Sequence, residues 1–260
     1  MSKFLDRLER ISLGAPAPMG FGVPRAQKTP GMALVGLVSG DYTAGVGALA
    51  GLAPDAALIS VASGLPTLKK LGQSLGKPVP WGLRVSALTE KQARTYEDGG
   101  SDLLAFSLEE TPVSAVASDG MARILCIEAG IQIEKLRAVN ALPIDVVLLS
   151  MTGVSAPWTL ADLASIAEVS QRVDKYLLVE VSQLPGSKDL EALREVGVQG
   201  LVVDVGAVAS ESLAELKAAL LEMPRQRPPN KGRAAAVLPS SVFFPDPTAG
   251  HEEEPPEEDE

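Results

Sequence analysis

The chain has 260 residues, of which 46% are hydrophobic and only 4% aromatic, and its formal net charge at pH 7 is −10. The last ten residues, HEEEPPEEDE, carry seven of the negative charges, which leaves the rest of the chain near −3. This balance argues against a nucleic-acid-binding protein, which would need a clustered basic face to neutralise phosphates.

The cysteine content and the first residues of the chain indicate the cellular compartment in which the protein is expected. The one cysteine, Cys126, cannot form an internal disulfide, which favours a reducing compartment. The first ten residues, MSKFLDRLER, are charged and lack the apolar core of a signal peptide. No apolar run approaches the roughly 20 residues of a spanning helix. We therefore expect a cytoplasmic protein without a membrane partner.

Residues 1–30 are expected to form a separate N-terminal segment. Within it, Ser2–Ile11 has the spacing of an amphipathic helix, with Phe4, Leu5 and Leu8 on one side. We expect this helix to cover one end of the main domain. Docking to a membrane or a partner is the alternative, although its polar face mixes both charge signs instead of being rich in Lys and Arg. The Gly- and Pro-rich stretch up to residue 30 is expected to be irregular.

Eight short β-rich runs follow, with starts roughly 20–30 residues apart, the length of a strand, a helix and two loops. Several of them, such as VVLLS and GLVVDV, are apolar on both faces, as parallel strands covered by helices must be. The pattern predicts a (β/α)8 TIM barrel over residues 31–224. The predicted strands are Met32–Ser39, Ala56–Ala62, Pro80–Ala87, Asp102–Glu109, Ala122–Glu128, Asp145–Met151, Tyr176–Ser182 and Gly200–Gly206.

The segments between the later strands have helical spacing and recognisable ends. The stretch Pro112–Gly120 leaves room for barely two helical turns, and Lys188–Val196 has Ser187 as its expected N-cap and Gly197 as its stop. The other predicted helices are Thr89–Glu97, Gln132–Val139, Thr159–Val173 and Glu211–Met223.

Residues 225–260 are expected to form a C-terminal extension, Pro-rich and acidic. Its apolar stretch AAAVLPSSVFF is expected to pack on the barrel or on a protein partner. The final acidic run is expected to be a solvated, disordered tail.

Residues 179–206, VEVSQLPGSKDLEALREVGVQGLVVDVG, carry a resemblance to a known superfamily. The stretch resembles the strand 7–helix 7–strand 8 unit of phosphate-binding TIM barrels, with glycines in the corresponding turns. The resemblance implies a phosphate or flavin-phosphate (FMN) site formed by backbone N–H groups of Gly186, Ser187 and Gly206. The alternative is that these residues only form turns.

Residue content excludes several mechanisms for the barrel itself. The only histidine, His251, lies in the acidic tail, so histidine acid–base chemistry and histidine-ligated zinc are not expected. No lysine follows a predicted strand at its C-terminal end, as a Schiff-base enzyme would require. Cys126 lies within a strand and is expected to belong to the core.

Side-chain alternation along the strands predicts which polar groups point into the barrel. Arg84, Glu128, Glu180 and Asp204 are all assigned to the interior, where an apolar filling is normal and unpaired charges are costly. Serines are expected around them, and Glu109 ends another strand. The inward serines are Ser60, Ser86, Ser107, Ser150 and Ser182.

These residues suggest a small-molecule enzyme of lyase or isomerase type. In this hypothesis Arg84, with Ser107, Ser150 and Ser182, binds the substrate through its carboxylate or phosphate. The expected acids and bases are Glu128, Glu180 and Glu109, and Asp204 is a candidate ligand for Mg²⁺.

Three alternatives remain open at this level. The charged interior could be a structural ion network, the protein could be a non-catalytic barrel that binds a protein partner through its termini, or it could bind a flavin or phosphate ligand. Asp41, in the first loop after a strand, is a further candidate on the catalytic face, with loop solvation as its simpler explanation.

Overall fold

The computed structural model describes residues 2–13, 29–40, 42–60, 79–155 and 157–223. Predictions for Asp41, His251 and residues 225–260 lie outside these ranges. Helices follow most of the strands along the described chain, which begins with helix α1 (Lys3–Leu13). The strands are β1 (Ala33–Val38), β2 (Ala56–Ser60), β3 (Trp81–Arg84), β4 (Leu103–Ser107), β5 (Ala122–Glu128), β6 (Val146–Ser150), β7 (Tyr176–Val181) and β8 (Gly200–Asp204).

Each strand pairs in parallel with the next, and β8 pairs with β1, so the sheet closes into a barrel. The predicted (β/α)8 barrel is therefore confirmed. A 3₁₀ turn, Val113–Val116, occupies the short connection between β4 and β5. The remaining helices are α2 (Tyr42–Leu52), α3 (Glu90–Asp98), α4 (Ile133–Val139), α5 (Leu160–Arg172), α6 (Ser187–Glu195) and α7 (Ser210–Glu222).

The predicted alternation of side chains is also confirmed. One buried apolar cluster fills the barrel interior and another lies between the strands and the helices. In β8, for example, Val202 belongs to the interior cluster, while Leu201 and Val203 pack outward. A shift of one residue along a strand would move its inward side chains to the outer face. Because the apolar side chains lie on the predicted faces, the polar side chains of the same strands also point in the predicted directions.

Helix α1 closes the N-terminal end of the barrel, as expected. Its side chains Phe4 and Leu8 are fully buried in the interior cluster. Asp102, which immediately precedes β4, accepts hydrogen bonds from the N–H groups of Lys3 and Phe4 at 2.9 Å and from Ser2 Oγ at 2.8 Å. The carboxylate thus caps the positive end of the helix. The apolar side of α1 is used inside the fold, so it does not provide a docking face.

Several local predictions were wrong. Most strands end earlier than predicted, for example β3 at Arg84 and β8 at Asp204, whereas β5 ends at Glu128 as predicted. Ser187 is the first residue of α6, not its N-cap. Gly197 does follow α6 in a left-handed conformation, with φ +102°, as a helix stop requires.

Helix α2 was not predicted, because its sequence YTAGVGALAGL contains three glycines that weaken a helical pattern. The structure explains one of them: a Cβ on Gly45 would lie 2.5 Å from Val38 Cγ1. Glycine at this position lets the helix approach β1 closely.

Candidate active site at the C-terminal end of the barrel

The polar residues predicted to point inward stand at the C-terminal ends of their strands. Arg84, Glu128 and Asp204 are the last residues of β3, β5 and β8, and Glu180 is the penultimate residue of β7. Strand ends at this face of the barrel are where enzymes of this fold place their reacting groups. The predicted strands Tyr176–Ser182 and Gly200–Gly206 run one and two residues past the observed ends, so Glu180 and Asp204 lie closer to the strand ends than predicted.

Two cavities open at this end, one of about 870 Å³ and one of about 240 Å³. Both are bordered by Ser60, Arg84 and Glu180. Of the other predicted site residues, Ser107, Glu109, Glu128 and Ser150 line the larger cavity. Asp204 and Ser182 line the smaller one. The barrel end thus holds two adjoining spaces with a common wall.

An ion pair across the barrel forms that wall. Arg84 Nη1 donates to Glu180 Oε1 at 2.7 Å, and the two side chains are 29% and 9% exposed. Burial alone would lower the pKa of Arg84, but the hydrogen bond and negative charge of Glu180 outweigh it, and the pKa of Arg84 is raised. The guanidinium therefore remains charged, and none of the described residues accepts a hydrogen bond from its other N–H groups.

The ion pair supplies a hydrogen-bond donor to only one of the two carboxylate oxygens of Glu180. Its second oxygen, Oε2, is buried and has no hydrogen-bond partner among the described residues. An unsatisfied buried acceptor costs about 1–3 kcal/mol, and more when it is charged. An unsatisfied oxygen on a side chain that lines a cavity marks that side chain as a candidate acceptor for a ligand.

The four charges predicted in the interior do not form the single structural ion network that one of the alternatives expected. Arg84 pairs with Glu180 alone, and Glu128 is exposed on the wall of the larger cavity. Asp204 accepts hydrogen bonds from Ser39 Oγ and, at 2.9 Å, from Gly206 N. Among the described residues no three acidic, histidine or cysteine side chains meet as metal ligands would. The described ranges therefore give no support to the Mg²⁺ site predicted at Asp204.

Glu128 and Glu109 differ in their surroundings. Glu128, at the end of β5, is exposed and has no ion-pair partner within the described ranges. Glu109 lies at the cavity rim, 70% exposed, with Lys135 Nζ 3.8 Å from its Oε1. An exposed pair of this length is weak and screened by salt. Of the two carboxylates, only Glu128 lacks a nearby cation among the described residues.

Three serines predicted to bind substrate already make hydrogen bonds. Ser107 Oγ donates to Ser86 O at 2.7 Å, and Ser182 Oγ donates to Thr152 O at 2.8 Å. Ser150 Oγ and Thr152 Oγ1 are 3.3 Å apart. The hydroxyl oxygens of Ser107 and Ser182 can still accept hydrogen bonds from a ligand.

Two further polar residues that border the smaller cavity, Ser39 and Thr152, were not predicted from the sequence. Both lie within two residues after a strand end, which could have identified them.

Two of the three predicted phosphate-binding residues, Gly186 and Ser187, line a third cavity of about 560 Å³ between the loops that follow β7 and β8, and Gly206 is not part of its lining. Gly186 N donates to Asp189 Oδ2 at 3.1 Å, and Gly206 N donates to Asp204 Oδ1. Two of the N–H groups expected to hold an anion therefore face carboxylates of the same chain. Phosphate or FMN binding by Gly186, Ser187 and Gly206 stays a prediction without a supporting contact.

Cys126 points into the barrel and borders the larger cavity. Burial raises the pKa of its thiol to about 11, with Arg84 lowering it and Glu180 raising it by smaller amounts. The thiol is therefore neutral at physiological pH and is not an activated nucleophile.

The pKa of Cys126 predicts slow alkylation. With a pKa near 11, about 0.1% of the thiol is ionised at pH 8, against roughly a quarter for a free thiol of pKa 8.5. We expect iodoacetamide to modify the folded protein about 100-fold more slowly than glutathione at pH 8, with the rate rising about tenfold per pH unit up to pH 10. Mass spectrometry of the intact protein measures this rate. Equal rates for protein and glutathione at pH 8 would contradict the assignment, and labelling in urea serves as the positive control.

The closed parallel barrel, with polar residues gathered at its C-terminal end, defines the chain as a (β/α)8 barrel protein. Solved structures bear this out. A mutant tryptophan synthase α-subunit from Pyrococcus furiosus matches at 13% identity and a TM-score of 0.58, over 74% of this chain and 98% of that one. A protein from Aquifex aeolicus VF5 matches at 14% identity and 0.60, over 86% and 100%.

A designed cube-shaped, highly porous protein cage, made by fusing symmetric oligomeric domains, matches at 13% identity and 0.55, over 73% and 71%. Identities of this size show a common fold alone. No protein-family model matches the chain, and no curated protein matches it. None of the helices in the described ranges is long and apolar enough to cross a membrane.

Proposed function

We propose that the protein is a small-molecule enzyme of lyase or isomerase type whose substrate binds beside the Arg84–Glu180 pair. The observation that carries this proposal is that Glu180, whose side chain lines an 870 Å³ cavity, has a buried oxygen, Oε2, without a hydrogen-bond partner among the described residues. A cavity of this size suits a metabolite-sized ligand. The fold shared with tryptophan synthase α-subunits supports a barrel enzyme only coarsely.

The proposed chemistry is proton removal from a carbon next to a carbonyl group. Arg84 donates from its remaining N–H groups to the carbonyl oxygen and stabilises the negative charge that develops there. Glu128 accepts the proton, and the C–H electron pair moves into the enolate. Where the deprotonated carbon carries a hydroxyl group, the proton of that hydroxyl moves to the former carbonyl oxygen and Glu128 returns its proton to the former carbonyl carbon, which gives isomerisation. Loss of a β-hydroxyl group, protonated as it leaves, gives elimination.

Proton exchange with solvent tests this proposal without knowledge of the substrate. A panel of C3–C6 hydroxy and amino ketones is incubated with the protein in D2O, and C–H to C–D exchange is followed by NMR. We expect exchange with at least one compound, and a loss of about 100-fold or more in Glu128→Gln.

The matched control for this test is Glu195→Gln, which changes an exposed glutamate at the end of α6, away from both cavities. It should exchange at the wild-type rate. Exchange that is equally fast in Glu128→Gln and wild type would remove Glu128 from the mechanism. No exchange across the panel would count against the proposed reaction.

In the non-catalytic alternative a protein partner binds through the two termini of the chain, and the structure argues against one of them. The apolar side of α1, offered as a docking surface, is buried in the barrel end. The other terminus, residues 225–260, lies outside the described ranges.

A further inference from the structure

The Arg84–Glu180 pair between the two cavities indicates which hydrogen-bonding groups a ligand should carry. Glu180 is 91% buried at its side chain, borders both cavities, and has one oxygen held by Arg84 while the other lacks a donor. A ligand that reaches Glu180 Oε2 must therefore offer a hydrogen-bond donor to satisfy it. A carboxylate or phosphate group, which carries only acceptors when ionised, does not supply one.

The charges around the cavities favour the same kind of group. The described residues that line the two cavities include four carboxylates and one guanidinium. The guanidinium of Arg84 is already neutralised by Glu180, and Glu109 has Lys135 nearby. Glu128 and Asp204 have no cationic partner among the described residues, so the described lining is left with an excess of negative charge. Such a cavity attracts cations and repels anions.

Hydroxyl groups complete the lining. Those of Ser39, Ser60, Thr152 and Ser182 border the smaller cavity, which at about 240 Å³ holds only a small group. Ser182 Oγ uses its proton on a backbone carbonyl, which leaves its oxygen as an acceptor. Ligand hydroxyl groups can both donate to and accept from such a surface.

We infer that the substrate carries an ammonium group, held at Glu180 Oε2, together with hydroxyl groups, and that it is not an anion. This inference rests on the proposed function for the location of the site, and it names the class of compound: a small hydroxylated amine. It also revises the role expected of Arg84, which donates to a neutral oxygen of the substrate instead of pairing with a carboxylate or phosphate. A charge-assisted hydrogen bond from an ammonium to a buried carboxylate is among the stronger contacts available to a ligand.

Three compounds of matched size test the charge preference: serinol (2-aminopropane-1,3-diol, a cation), glycerol (neutral) and glycerate (an anion). Affinities are measured by NMR titration of the isotope-labelled wild-type protein at low ionic strength. We expect serinol to bind about tenfold more tightly than glycerol, and glycerate to bind more weakly than glycerol. Added NaCl should weaken serinol binding and leave glycerol binding unchanged.

Single-residue variants test which carboxylate causes the preference for serinol over glycerol. Glu180→Gln should bring serinol to within about twofold of glycerol, and Glu195→Gln should leave the wild-type order intact. The amide spectrum of each variant shows whether it is folded. Because Glu180 is buried, Glu128→Gln is a second variant that does not disturb the core, and it should weaken serinol binding about threefold through loss of one nearby charge.

The outcomes separate the inference from the proposed function. Tightest binding by glycerate, abolished in Arg84→Met, would overturn the cationic ligand and leave the site and its reaction standing. A serinol preference that is unchanged in both Glu180→Gln and Glu128→Gln would also overturn it. Serinol selectivity without any solvent exchange in the ketone panel would support the ligand class while removing the proposed reaction.

Discussion

Replacing Phe4 with alanine is expected to lower the free energy of unfolding by about 3–5 kcal/mol, the usual range for a buried phenylalanine. Phe4 is fully buried in the interior cluster at the N-terminal end of the barrel. Its removal leaves a void bounded by closed β-structure, which cannot collapse easily. Urea denaturation followed by circular dichroism measures the change.

Leu13→Ala is the matched control for this prediction. Leu13 is the last residue of the same helix and is 78% exposed, so its replacement should change stability by less than about 0.5 kcal/mol. A cost below about 1 kcal/mol for Phe4→Ala would mean that α1 does not close the barrel in solution.

Replacing Arg84 with methionine is expected to cost about 2–3 kcal/mol. The change leaves the Glu180 carboxylate buried and unpaired, which in a fully buried pair costs about 3–5 kcal/mol. The value here is smaller because the Arg84 side chain is 29% exposed. In the double variant Arg84→Met/Glu180→Leu the buried charge is gone as well, and most of the lost stability should return.

The surface pair of Arg94 and Glu90 on α3 is the control for this experiment. Arg94 is 74% exposed, so Arg94→Met should cost less than about 0.5 kcal/mol. If Arg84→Met were as harmless as Arg94→Met, the pair with Glu180 would not contribute to the free energy of unfolding. If the double variant were no more stable than Arg84→Met, the loss would come from packing and not from an unpaired charge.

The alternation of side chains could be predicted from the sequence because each strand repeats large apolar residues at every second position. Leu177 and Val179 marked the outer face of β7, and this sufficed to turn Glu180 inward. Strand ends were harder to predict. The apolar alternation continues past the last paired residue, as at Val205, which is buried on the outer face after β8 has ended.

The partners of the inward charged side chains could not be predicted from the sequence. The alternation along a strand gives the direction in which a side chain points, but not its distance from side chains on other strands. Arg84 and Glu180 meet across the barrel from β3 and β7, which are far apart in sequence. Glu128 ends the longest of the eight strands and is carried to the exposed rim. Asp204 lies level with Leu37 of the neighbouring strand β1, and its carboxylate accepts from Ser39 just beyond that strand. These outcomes depend on strand length and barrel register, which the residue pattern does not contain.

The central claim is that the Arg84–Glu180 wall is the ligand-binding site of this barrel. A crystal structure of the wild-type protein soaked with serinol tests it most directly. We expect the amine nitrogen within hydrogen-bond distance, about 2.7–3.2 Å, of Glu180 Oε2, with a hydroxyl group facing Arg84. Serinol bound instead beside Gly186 and Gly206, with the Arg84–Glu180 wall empty, would contradict the claim.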